Sequence, residues 1–97
     1  MKAIFIIYNQ AYNEEIVSIL EKNGQRGFTK WNEISGRGSV EGEPHYGDHA
    51  WPVMNDAVVS IVEDGIVQNI LDELKTTDEN TPDLGLRAFV LPVDKIY

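Results

Sequence analysis

The stretch Ala57-Val58-Val59-Ser60-Ile61-Val62-Glu63-Asp64-Gly65-Ile66-Val67-Gln68-Asn69-Ile70-Leu71-Asp72-Glu73-Leu74 decides the fold. Residues 57–62 are almost all apolar β-formers, the pattern of a buried strand. Asp64 then offers a capping oxygen, and Ile66, Val67, Ile70, Leu71 and Leu74 recur on one face of a helix. A strand that runs directly into an amphipathic helix is the first part of a crossover unit. The polar segment 76–85 follows, with Pro82 and Gly85, and 86–93 (Leu-Arg-Ala-Phe-Val-Leu-Pro-Val) returns to β-formers. Pro92 cannot donate to a ladder, so the far end of that strand belongs at a sheet edge.

Working outward, the same order stands on the N-terminal side. Residues 3–8 (Ala-Ile-Phe-Ile-Ile-Tyr) read as a strand that is central or covered on both faces. Asn13 offers an N-cap oxygen, Glu14 and Glu15 put negative charge in the first turn, and Ile16, Val17 and Leu20 recur at helical spacing up to Gly24. Residues 27–34 form the next strand. Two β-α-β halves in one sheet predict an α+β, ferredoxin-like βαββαβ sandwich with both helices on one face. Between the halves, residues 35–53 carry Gly36, Gly38, Gly42, Gly47, Pro44 and Pro52, which oppose regular structure. A loop of that length between strands two and three of a small domain points to function.

The 97 residues, 42% hydrophobic and 25% charged, suit a single domain over 1–97. Such a thin core leaves a subunit interface much to contribute. The sheet face away from the helices carries few charges, so other subunits are expected to cover part of it. The formal charge of −8 argues against nucleic acid or direct membrane insertion as the main business of the chain. With no cysteine there is no disulfide, thiolate nucleophile or thiolate metal site. No apolar run approaches the roughly 20 residues of a membrane span, and the opening segment is too short for a secretory leader, so a cytoplasmic location is expected.

Charge is unevenly placed. From Lys22 to Arg37 the bases Lys22, Arg26, Lys30 and Arg37 face Glu33 alone, an excess of +3, whereas Asp64 to Asp83 has a deficit of −5. The backbone of Gly36-Arg37-Gly38 could form an anion-binding nest, or the glycines could serve only to turn the chain beneath solvated bases. His45 and His49, with Glu41, Glu43 and Asp48 nearby, are plausible ligands for a divalent transition metal; the competing reading is an acidic loop that presents Glu41, Tyr46, Asp48 and Trp51 to a partner protein. Ser39, His45 and Asp48 have triad side chains but lie on one loop without rigid support, so an enzyme is not expected. Trp31 and Trp51 read as sheet or interface residues before they read as ligand stackers.

The order of elements and several segments resemble the PII signal-transduction family over almost the whole chain. The segments are Gly27-Phe28-Thr29 at the start of strand two, Ile34-Ser35-Gly36-Arg37-Gly38 at its exit, and Val58-Val59-Ser60-Ile61-Val62-Glu63-Asp64 before the second helix. The resemblance implies a non-enzymatic regulator, a homotrimer similar in fold to CutA proteins, with an effector cleft between subunits and a T-loop that docks on a membrane transporter or an enzyme. By that likeness Ile7, Thr29, Gly36 and Gly38 would line an adenine-type pocket, and Arg37 with Arg87 would face phosphates. The chain departs from nitrogen-control members in several places. Ser39-Val40 replaces their Arg-Gln, Leu84-Gly85-Leu86-Arg87 replaces their Gly-Asp-Gly-Lys core, Tyr46 lies among acids and histidines, and the sequence ends at Tyr97 without their basic C-terminal loop. A smaller adenine nucleotide or another anion is therefore expected as readily as ATP. The alternative is a metal-responsive, CutA-like trimer that uses His45 and His49.

Overall fold

The computed structural model describes residues 1–37, 43–48 and 53–97. Four strands and two helices follow one another as β1 (Lys2–Asn9), α1 (Asn13–Lys22), β2 (Thr29–Ile34), β3 (Asn55–Val62), α2 (Val67–Glu79) and β4 (Arg87–Pro92), with single 3-10 turns Gln10–Tyr12 and Asp64–Ile66 leading into the helices. The sheet order is β2-β3-β1-β4 with every pair antiparallel, which is the expected ferredoxin-like α+β arrangement. β4 is an edge strand and Pro92 ends it, as its missing N–H requires.

Alternation along the strands divides the sheet. Ile4, Ile6 and Tyr8 of β1 and Val58 and Val62 of β3 point to one face, where they pack with Ile16, Ile19 and Leu20 of α1 and Ile70 and Leu74 of α2. The other face carries Phe5, Trp31, Val59, Ile61, Phe89 and Leu91, by the registers Phe5 to Val59, Phe5 to Phe89 and Ala3 to Leu91. Trp31 stacks on Phe5 with ring centroids 5.7 Å apart. Phe89 and Leu91 are 52% and 50% exposed, an unusual amount of open apolar surface for two neighbours on one strand. The residues of 3–8 are all apolar, yet only alternate ones are covered within the chain.

Both helix starts differ from the sequence reading. Asn9, not Asn13, supplies the first cap: its Oδ1 accepts the Ala11 N–H at 3.0 Å and opens the 3-10 turn. Asn13 is the first residue of α1, and its Oδ1 accepts the buried Tyr8 hydroxyl. Asp64 makes no capping bond; its carboxylate lies 3.0 Å from the N-terminal ammonium group, which holds it below the usual carboxylate range. Among the described residues no helix is long and apolar enough to cross a membrane.

Candidate functional site

In this topology the C-terminal end of β1, the exit of β2 and the starts of β3 and β4 meet at one end of the sheet. Each brings polar or glycine residues there. Asn9 fixes the approach to β4, since its backbone N–H donates to the Leu84 carbonyl at 2.8 Å and its Nδ2 to the Asp83 carbonyl at 3.0 Å. The Tyr12 hydroxyl adds a hydrogen bond to Asp83 Oδ1 at 2.6 Å, which raises the phenol's pKa. Gly85 then turns the chain with φ +61, a left-handed conformation that side chains rarely adopt, and delivers Arg87 opposite Ile7.

At the exit of β2 a bulge does the corresponding work. Register is lost between Trp31 and Ile34, and Glu33 sits at φ 56. What holds this strained residue is Asp56, 4% exposed, whose Oδ1 accepts the Glu33 N–H at 3.0 Å while its Oδ2 lies 3.2 Å from Lys30 Nζ. Its charge also raises the Tyr8 pKa, although burial of that phenol is the larger cause. The bulge turns Ile34 and the following residues toward β1 and β4.

The result is a groove of about 270 Å³ lined by Ile7, Ile34, Ser35, Gly36, Arg37, Asn55, Gly85, Arg87 and Phe89. Ile7, Ile34 and Phe89 give it apolar walls, Asn55 an amide, and Arg37 and Arg87 two permanent positive charges. Such a lining suits a flat, partly apolar ligand that ends in an anion.

Of the residues singled out in the sequence, Ile7, Gly36, Arg37 and Arg87 are brought together on this groove. Thr29 is not part of the lining; it starts β2 opposite Val59. Gly38, Glu41, His49 and Trp51 lie outside the described residues. Tyr46 and Asp48 are exposed on the segment 43–48. The four bases of 22–37 do not converge: Lys30 is committed to Asp56, Lys22 borders a depression with Asp72 and Glu73 between the helices, Arg26 is exposed, and only Arg37 reaches the groove. Ile34, Ser35, Asn55, Gly85 and Phe89 also line the groove, and the sequence does not single them out for it. The one sequence signal for Asn55 was its place, a polar residue between a glycine-rich loop and an apolar strand.

His45 belongs to the base of the long loop. Its N–H donates to the Gly36 carbonyl at 2.6 Å and its carbonyl accepts the Gly36 N–H at 2.8 Å. Its Nδ1 lies 2.6 Å from Asn55 Oδ1. Because a carboxamide oxygen only accepts, Nδ1 carries the proton. Among the described residues no group of three or more His, Asp or Glu is placed to hold a metal ion.

The protein is thus a four-stranded ferredoxin-like sheet whose β2–β3 connection is tied through His45 to Gly36, beside a groove that carries two arginines. The chain belongs to the family described as nitrogen regulatory protein P-II, whose profile matches residues 1–97. Among solved structures it is similar to CPII, a nitrogen regulatory PII-like protein from Thiomonas intermedia K12 bound to ADP, AMP and bicarbonate. That pair has a TM-score of 0.74 at 19% identity, covering 97% of this chain and 88% of CPII. A PII-like signalling protein from Thermus thermophilus gives a TM-score of 0.66 at 21% identity, over 93% of this chain and 83% of that one. No curated protein sequence matches the chain.

Proposed function

We propose that this chain is a single-domain, non-enzymatic PII-like regulator that binds a small anionic effector of the adenine-nucleotide class in the groove between β1, the β2 exit and β4. The observation that carries the reading is the convergence of Arg37 and Arg87 with Ile7, Gly36, Asn55 and Phe89 on one groove. CPII, whose fold it shares, is a nucleotide complex. Two guanidinium groups balance a phosphate monoester dianion, so the order of preference is AMP or ADP ahead of ATP. The open apolar face of the sheet supports a homotrimer in which a neighbouring subunit closes the groove. The long loop, through Tyr46 and its acidic neighbours, is the surface offered to a membrane transporter or an enzyme, in the cytoplasm.

Isothermal titration with AMP, ADP and ATP tests this directly. Hydrogen bonds to charged groups contribute about 1.5 to 3 kcal/mol each. Solvent at an open groove lowers that yield, so Arg37→Ala with Arg87→Ala is expected to weaken AMP or ADP at least tenfold, or about 1.4 kcal/mol. Unchanged affinity in the double variant, or no binding by the native protein at millimolar nucleotide, rejects the groove as the effector site.

A further inference from the structure

We infer that His45 is the positioning residue of this groove: its main chain, paired with Gly36, and its imidazole, set against Asn55 and Gly85, together fix the relative placement of three of its wall segments without lining it. The inference rests on the groove being the effector site. Gly36 comes from the β2 exit, Asn55 from the start of β3 and Gly85 from the turn before β4, and all three line the groove. They are separated by 19 and 30 positions in the chain, and His45 touches each of them. Two backbone hydrogen bonds tie it to Gly36, at 2.8 and 2.6 Å. Its Nδ1–H donates to Oδ1 of Asn55, which is 5% exposed. Its ring lies against Gly85 so closely that a Cβ there would stand 2.9 Å from Cε1.

Each contact has a distinct physical content. The bond to Asn55 uses the side-chain oxygen of a buried amide, which would otherwise lose its partner at appreciable cost. The contact with Gly85 explains why that turn tolerates no side chain beyond the demand of its positive φ. The pairing with Gly36 fixes the backbone next to Arg37, one of the two cations that meet an anion. Removing the imidazole therefore frees the Asn55 amide to rotate and opens a gap beside Gly85, while β1, α1 and α2 keep their packing. An effector held by Arg37 and Arg87 needs both arginines in one geometry, so a loosened wall is felt as lost affinity.

The experiment compares the native protein with His45→Ala and His45→Gln, and reads amide hydrogen exchange without ligand and AMP affinity by calorimetry. In His45→Ala, exchange at the Gly36 and residue-45 amides is expected to rise tenfold or more while that of β1 stays as in the native protein. AMP affinity is expected to fall about fivefold, the equilibrium value of one hydrogen bond. His45→Gln, whose amide can donate to Asn55, recovers most of both. A Gly85→Ala substitution should weaken AMP binding less in the His45→Ala background than alone, because the clash is then relieved. Native exchange at Gly36 in His45→Ala overturns the inference, as does unchanged AMP affinity with raised exchange. If the native protein binds no nucleotide, the effector reading fails while the exchange comparison still judges the tie itself.

Discussion

Removing the Asp56 carboxylate should cost more stability than most single changes at a sheet surface. Asp56 is 4% exposed and serves two partners, the Glu33 N–H at 3.0 Å and Lys30 Nζ at 3.2 Å. In Asp56→Ala the Glu33 amide is left without its acceptor, at about 1 to 3 kcal/mol. Breaking a buried ion pair by deleting one partner costs about 3 to 5 kcal/mol, but the Lys30 side chain is 24% exposed and its ammonium can swing to water, so the low end applies. The two contributions overlap, and a total near 3 kcal/mol is expected. For a domain of this size that lowers the melting temperature by well over 10 °C, at roughly 4 to 8 °C per kcal/mol. Asp56→Asn keeps an oxygen for Glu33 and should lose about half as much. Glu33→Gly should be neutral or slightly stabilising, because relief of a left-handed residue, about 1 to 2 kcal/mol, offsets the entropy that glycine adds to the unfolded chain. Chemical denaturation at matched protomer concentration measures all three, since association would otherwise shift the midpoints. The reasoning is refuted if Asp56→Ala lies within 1 kcal/mol of the native protein, about the spread of ordinary surface changes. Equal losses for Ala and Asn would remove the Glu33 bond, and with it the claim that Asp56 holds the bulge.

Two further outcomes follow from the same surfaces. Burial first, and the Asp56 charge second, push the Tyr8 phenol above its ordinary pKa of 10.0; the folded state therefore holds this proton longer than the unfolded chain, and its contribution is complete below pH 10 and lost as pH rises beyond it. Tyr8→Phe should flatten the alkaline limb of a stability-versus-pH curve, and an unchanged slope would assign that limb to other groups. On the open face of the sheet, Ile61→Glu or Leu91→Glu should convert the proposed trimer to monomers in sedimentation equilibrium, because a desolvated carboxylate between subunits has no partner there. A variant that sediments like the native protein would mean that the face is not the subunit interface.

The fold was legible where a pattern repeats. Ile66, Val67, Ile70, Leu71 and Leu74 mark their helix by spacing alone, and the order strand, helix, strand on both sides of a glycine-rich break leaves few topologies for one sheet. The faces of β1 were not legible, because Ala3, Phe5 and Ile7 are as apolar as Ile4, Ile6 and Tyr8, and nothing local says which set meets the helices. The caps failed for a related reason. Asn9, Asn13 and Asp64 all have the right side chains, and the choice among them was made by distant partners, Asp83, Tyr8 and the N-terminus.

The site obeys the same division between what is local and what is not. Once β1 is central and every neighbour antiparallel, the end of β1, the exit of β2 and the beginnings of β3 and β4 must share one end of the sheet. Ile7, Gly36, Arg37 and Arg87 stand at three of these four places, so their meeting follows from topology. His45, Asn55 and Gly85 also arrive there, but their mutual contact depends on a bulge held by Asp56 and a turn held by Asn9, neither of which leaves a trace in residue spacing. A charge count over 22–37 placed four bases in one patch, whereas strand pairing sent Lys30 to Asp56 and left Arg37 as the single member of that run on the groove. In this fold, position at a strand end predicts membership of the site better than local charge does, because the sheet collects strand ends and disperses the residues between them.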